Sequence, residues 1–230
     1  MRERGWRVAV LDSGISPLPP AGLDRIRRFI DEGERVLEGE PVEDPIGHGT
    51  VVADIIGAAA GRVRLLVGQV LNERGRSTAA VLAAAIGWAL SQRAQLLHFS
   101  LGLSADRTVL RAAIGEAVAA GVLVVAAAPA RGRITYPAFY PGVIRATGDA
   151  RCDDAQISYL GTAAADFGAC ALYRSRSGQA TRGASVGAAY LSRHIVTHLA
   201  PGLAAPQAHA ALVRRATFLG PERHRSAARA

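Results

Sequence analysis

Five short, almost uniformly apolar runs, separated by segments of helical periodicity, limit what this chain can fold into. They cover residues 7–11, 63–70, 95–101, 122–128 and 143–147. Runs this short and this apolar suit strands buried on both faces. Residues 78–93 and 108–120 have the length and Ala-rich content of helices, the second stopping at Gly121. From Gly49, residues Val51, Val52, Ile55 and Ile56 recur at helical spacing, and Val186, Ala189, Ile195, Val196 and Leu199 line one face of a helix over 183–199. Residues 206–218 read as a final helix. Strand–helix alternation predicts βαβ units and a mostly parallel central sheet flanked by helices, a three-layer α/β fold. Residues 17–45 are acidic and turn-rich and read as irregular with one short helix. Residues 151–181 read as loops with short strands.

A chain of 230 residues, half of them hydrophobic, fits a single domain over 1–230, with a basic tail from about residue 219. The net charge is +8, and every basic residue is arginine. That charge raises nucleic acid as a partner. No basic–aromatic interleaving accompanies it, so nucleic acid is disfavoured and a solvated tail is expected. No apolar run reaches membrane-spanning length, so no membrane contact is expected. The start, Met1 to Trp6, lacks the apolar core and small-residue cleavage site of a secretory signal, which gives a cytoplasmic expectation. Cys152 and Cys170 would pair in a secreted protein; in the cytoplasm they are expected as free thiols. No Cys/His cluster has zinc-ligand spacing, and neither a metal nor a cofactor is expected.

Three segments carry candidate chemistry: Asp12-Ser13-Gly14 after the first apolar run, Gly47-His48-Gly49-Thr50 at a helix start, and Gly183-Ala184-Ser185 at another. Each alone has a plain explanation as a turn or a helix entry. Together they supply a carboxylate, an imidazole and a hydroxyl, each at a strand end or a helix start. In open α/β sheets, sites gather at such places. A serine hydroxyl needs a base to become a nucleophile, and the imidazole needs a carboxylate to fix its tautomer.

In the order Asp, His, Ser, these segments resemble the signature motifs of the subtilisin-like serine proteases, the subtilases. Further likeness lies in Trp88-Ala89, His98-Phe99-Ser100-Leu101-Gly102, Tyr136-Pro137 and Tyr140-Pro141-Gly142-Val143-Ile144, so that it spans about residues 6–200. The resemblance implies a subtilisin-like fold and a serine endopeptidase with Asp12, His48 and Ser185 as catalytic triad. It implies a peptide or small protein substrate bound as an extended strand along Ser100, Leu101 and Gly102, with Ala127, Ala128 and Thr135 at the specificity pocket. Thr135 falls where relatives often have Gly, so a shallow pocket for small residues is expected.

The chain also departs from the family pattern. The Asn that donates to the oxyanion in relatives maps onto Ala130, and the Thr that precedes the Ser is Ala184. The remaining candidate oxyanion donors are Ser185, through its N–H, and Arg131 or Arg133. A calcium-binding insertion common in relatives is replaced by Ala58-Ala59-Ala60-Gly61-Arg62, and no prodomain is expected ahead of Asp12. Small subtilases of this kind resemble leader-removing proteases that mature peptides or protein subunits. The altered oxyanion segment also allows a peptide-binding pseudoprotease. The other histidines, His98, His194, His198, His209 and His224, are read as structural or surface residues, although relatives usually have Asn at position 98.

Overall fold

The computed structural model describes residues 5–16, 19–129, 134–175 and 177–222. The apolar runs form the middle of a ten-stranded sheet. In chain order the elements that build its centre are β1 (Trp6–Asp12), β2 (Leu23–Asp31), β3 (Val36–Gly39), α1 (His48–Gly57), β4 (Val63–Gln69), α2 (Ala79–Ser91), β5 (Leu96–Phe99), α3 (Thr108–Ala119), β6 (Leu123–Ala127) and β7 (Val143–Asp149). There follow β8 (Ile157–Tyr159), β9 (Phe167–Cys170), β10 (Leu172–Arg174), β11 (Ala180–Arg182), α4 (Ala184–His198), α5 (Ala205–Arg215) and β12 (Phe218–Leu219).

The sheet order is β12-β8-β9-β7-β6-β5-β1-β4-β2-β3. From β2 to β9 every neighbouring pair is parallel; β3 and β8 pair antiparallel with β2 and β9, and β12 runs parallel to β8. Side chains of successive strand residues face opposite ways, so each central strand feeds two cores. Val8 and Val10 of β1 join the core under α1, α4 and α5, while Ala9 and Leu11 join the one under α2 and α3. The result is the expected three-layer α/β architecture.

Two stretches differ from expectation. Residues 17–45 hold no helix among the described residues; they contain the β2–β3 hairpin, turned at Gly33 with φ 80°. Along β2 only Phe29 is fully buried. β2 lies between β4 and the edge strand β3, and with most of its residues partly exposed it needs little apolar periodicity; it carries Arg25, Arg27 and Arg28 instead. The last helix ends at Arg215 rather than near Phe218, and Phe218–Leu219 pairs with β8. Phe218 is held there under the Arg151 guanidinium, 5.1 Å from the ring centre.

Candidate active site

The candidate site sits where β1 and β5 end. Asp12 closes β1 and is fully buried. Its Oδ1 accepts from the Ser13 N–H at 2.7 Å and lies 2.8 Å from His48 Nδ1. Its Oδ2 is buried without a hydrogen-bond partner among the described residues. A buried carboxylate left half unpaired is a strong local source of negative potential. The hydrogen bond that His48 donates to Asp12 accordingly holds the imidazole pKa above its ordinary range; burial opposes this, and the charges of Asp12 and Asp44 add to it.

His48 is the first residue of α1. The helix start is fixed from three sides. Gly47 takes φ 77°, a conformation few side chains tolerate. A Cβ on Gly49 would come within 2.3 Å of the Gly14 carbonyl oxygen, so only glycine lets α1 press on the turn after β1. The Gly49 N–H donates to Ser13 Oγ at 2.8 Å. Asp44 finishes the arrangement: Oδ1 accepts from the Ile46 and Gly47 N–H groups, and Oδ2 from the N–H and hydroxyl of Thr50. Burial works to raise the Asp44 pKa, but these hydrogen bonds, from Thr50 above all, hold it below the usual carboxylate value.

Ser185 is the second residue of α4, in the first turn, where backbone N–H groups lack helical partners. Gly183 precedes the helix with φ 126°. The helix lies very close to β7: a Cβ on Gly187 would stand 2.2 Å from the Thr147 carbonyl oxygen. The Ser185 hydroxyl donates to the Ser100 carbonyl at 3.0 Å. Ser100 follows β5, the strand hydrogen-bonded to β1 on the side opposite β4. Carboxylate, imidazole and hydroxyl thus converge at one end of the sheet, although the hydroxyl is turned to Ser100 and not hydrogen-bonded to His48.

Ser100, Leu101 and Gly102 lie beside this cluster. Neither Leu101 nor Gly102 makes a backbone hydrogen bond to another described residue, whereas Leu103 pairs with Tyr136 through bonds of 2.7 and 2.9 Å. Thr135 is packed against Gly102 so tightly that a Cβ on the glycine would meet the Thr135 Cβ at 2.8 Å. Ala127 and Ala128 are buried at the end of β6, and the Ala128 N–H is committed to the Ala146 carbonyl. Ala130, Arg131 and Arg133 lie outside the described residues.

Sequence reading passed over Asp44 and Gln69. Gln69, buried at the end of β4, donates to the carbonyls of Ser13 and Val42 and accepts from the Val42 N–H, tying the turn after Asp12 to the segment before His48. The signal for Asp44 was its place in Asp44-Pro45-Ile46-Gly47-His48, a carboxylate just ahead of a helix start. Gln69 gave none beyond a polar residue at the end of an apolar strand.

The pattern of the subtilase family matches residues 3–212. The chain belongs to the subtilase family, the subtilisin-like serine proteases. It is 34% identical over 152 residues to the thermostable alkaline protease of Halalkalibacterium halodurans, covering 61% of this chain and 40% of that protein. It is 38% identical over 148 residues to alkaline elastase YaB of Bacillus sp. strain YaB, covering 59% and 37%. The chain thus spans about two fifths of the length of these curated relatives. Among solved structures, sphericase superposes with a TM-score of 0.67 at 22% identity, covering 93% of this chain and 83% of that one. The prenylagaramide maturation protease PagA superposes with a TM-score of 0.56 at 23% identity, covering 83% and 74%. At such identities these superpositions speak for the subtilisin-like fold. No described helix is long and apolar enough to cross a membrane.

Proposed function

We propose that this subtilase is a serine endopeptidase in which Asp12, His48 and Ser185 act as one catalytic triad. The observation that carries the proposal is the 2.8 Å contact between buried Asp12 and His48 beside a helix-start serine. Asp12 holds Nδ1 protonated, which leaves Nε2 as the lone pair. The Ser185 hydroxyl leaves the Ser100 carbonyl, turns to Nε2 and gives up its proton as it attacks the scissile carbonyl. The imidazolium so formed is stabilised by Asp12, and it returns the proton to the leaving amine. The Ser185 N–H and the positive end of α4 face the oxygen that becomes negative. With alanine at 130 and 184, the two side chains that relatives use here are missing, which leaves the Ser185 N–H with Arg131 or Arg133 as donors, and turnover of generic peptides is slow. A specific substrate makes up the difference by aligning its carbonyl through binding contacts elsewhere.

That substrate is a peptide or small protein that adds as an extended strand along Ser100–Gly102, where the backbone of Leu101 and Gly102 is left open for it. Thr135 closing on Gly102 favours small residues before the cut. The biological task is removal of a leader from a peptide or protein subunit. PagA is by title a maturation protease, and the small subtilase that processes a subunit of quinohemoprotein amine dehydrogenase gives the first natural substrate to try. A cytoplasmic location belongs to the same proposal; one relative, 31% identical over 150 residues, is the minor extracellular protease Epr of Bacillus subtilis, so cell fractionation decides it.

The test is labelling by a fluorophosphonate together with turnover of a peptide library. Wild type is labelled and cleaves after Ala, Ser or Gly, while Ser185→Ala is unlabelled and loses on the order of 10⁶ in kcat, as in subtilisin. Equal turnover by the two proteins removes the triad. An unlabelled wild type that still binds peptide is a pseudoprotease.

A further inference from the structure

The triad accounts for one imidazole at the site, but a second stands directly beneath it. His98 is fully buried in β5, opposite Val10 of β1, and so faces the same side of the sheet as Asp12 two residues further along. Both ring nitrogens are engaged by hydroxyls: Nδ1 by Ser192 Oγ of α4 at 2.9 Å, and Nε2 by Ser100 Oγ at 2.6 Å. Ser192 is itself fully buried. The chain of contacts runs from the middle of α4 through His98 to Ser100. It then passes from the Ser100 carbonyl back to Ser185 at the start of α4.

A neutral imidazole has one N–H and one lone pair, so it can join two hydroxyls as donor to one and acceptor from the other. A cation would have two N–H groups and no lone pair, and the acceptor role would be lost. Burial keeps the ring neutral, pushing its pKa down to about 4; the Asp12 charge works against this and His48 works with it. A second cation beside His48 would also compete for Asp12 at the moment His48 becomes charged. An ordinary core residue could fill the same volume, but it could not hold two hydroxyls at fixed distances from its two ends.

We propose that His98 is a positioning residue for the nucleophile: by clamping the Ser100 side chain against α4, it fixes the Ser100 carbonyl that holds the Ser185 hydroxyl. The inference rests on Ser185 being the nucleophile. His98 touches neither substrate nor the reacting atoms and acts only through Ser100. Without the clamp, Ser100 keeps its place in the chain but samples other rotamers and backbone angles. The hydroxyl then starts from a broader set of positions, and near-attack geometry becomes rarer.

The experiment compares wild type, His98→Leu, His98→Asn, Ser100→Ala, Ser192→Ala and the double variant His98→Leu/Ser100→Ala. Active sites are titrated with a fluorophosphonate, so that kcat is read per competent site and misfolded protein drops out. Expected are a loss of about 10- to 100-fold in kcat and in the phosphonylation rate for His98→Leu and Ser100→Ala, the scale of losing one or two buried hydrogen bonds. KM on a short peptide stays within about twofold, His98→Asn recovers part of the loss, and the double variant is no worse than the poorer single one. A purely structural His98 would lower the titrated fraction and the melting temperature while leaving kcat per site unchanged, and that result overturns the proposal. If His98→Leu does not fold, Ser100→Ala decides, since it removes one hydroxyl and nothing else; wild-type kcat in that variant overturns the proposal. An unlabelled wild type, or one matched by Ser185→Ala, sinks the nucleophile assignment and this inference with it. A labelled wild type with unaffected His98 and Ser100 variants sinks the inference alone.

Discussion

At the scale of single residues, the site is governed by how charge is compensated in a buried place. Asp12 has one oxygen engaged by Ser13 and His48 and the other without a partner among the described residues, so the imidazole is its main counter-charge. The consequence is a pH dependence with a definite sign. His48 serves as base only when unprotonated, and its pKa is raised above the ordinary 6.5. The acid limb of kcat/KM is therefore expected above pH 6.5, with activity lost as pH falls through it. Asp44→Asn removes one of the negative charges that raise this pKa, while its amide oxygen can still accept from the Gly47 N–H. The limb should move to lower pH in that variant. A pH–rate profile settles both points: a wild-type limb at or below 6.5, or an upward move in Asp44→Asn, contradicts this account of His48.

At the scale of elements, the two helices that present His48 and Ser185 are brought close to the sheet by glycines rather than by large side chains. Gly49 of α1 abuts the turn after β1, and Gly187 of α4 abuts the backbone of β7. The atoms facing Gly187 are the carbonyl of Thr147 and the N–H of Gly148, which cannot swing aside as a side chain would. Gly187→Ala should force α4 outward and cost about 1–3 kcal/mol, the usual scale of overpacking, and lower activity because Ser185 travels with the helix. Gly115 in α3 is the control: nothing lies within 4 Å of its added Cβ, so Gly115→Ala should be neutral or stabilise by about 1 kcal/mol through helix propensity. Urea melts of the two variants give the comparison. Equal stability for Gly187→Ala and wild type would mean that α4 does not pack on β7 as described.

For the molecule as a whole, the sheet carries an apolar layer on each face, and the connection from α1 to β4 is short and closed on itself. Ala58 donates to the Asp54 carbonyl, Ala59 to that of Ile56, and Arg62 to that of Ala59. Where subtilases commonly carry a calcium-binding insertion, this chain thus ties three backbone N–H groups to carbonyls of α1 and of the turn itself. Thermal melting with and without EDTA should give the same midpoint. A drop on chelation that calcium reverses would reveal a bound ion that contributes to stability.

The parallel centre of the sheet, four of the five helices among the described residues and the three residues of the proposed triad were legible in the amino-acid sequence. They rest on short-range regularities: uniformly apolar strands, helices of period 3.6, and turn residues such as Gly14, Gly47 and Gly183 at fixed places beside Asp12, His48 and Ser185. The fifth helix was legible too, but its end was not, because Phe218 leaves helical geometry for a place beside β8 under Arg151. The β2–β3 hairpin was hidden because it lies at the margin of the sheet, with β3 as the edge strand, and its largely half-exposed residues leave no apolar stripe. His98 read from the sequence as one polar residue inside an apolar strand. Its two partners are the nearby Ser100 and, 94 positions away, Ser192. A hydrogen bond across such a separation leaves no periodic trace along the chain; it exists only once α4 has been laid across β5, and the tertiary structure alone decides which hydroxyl the ring meets.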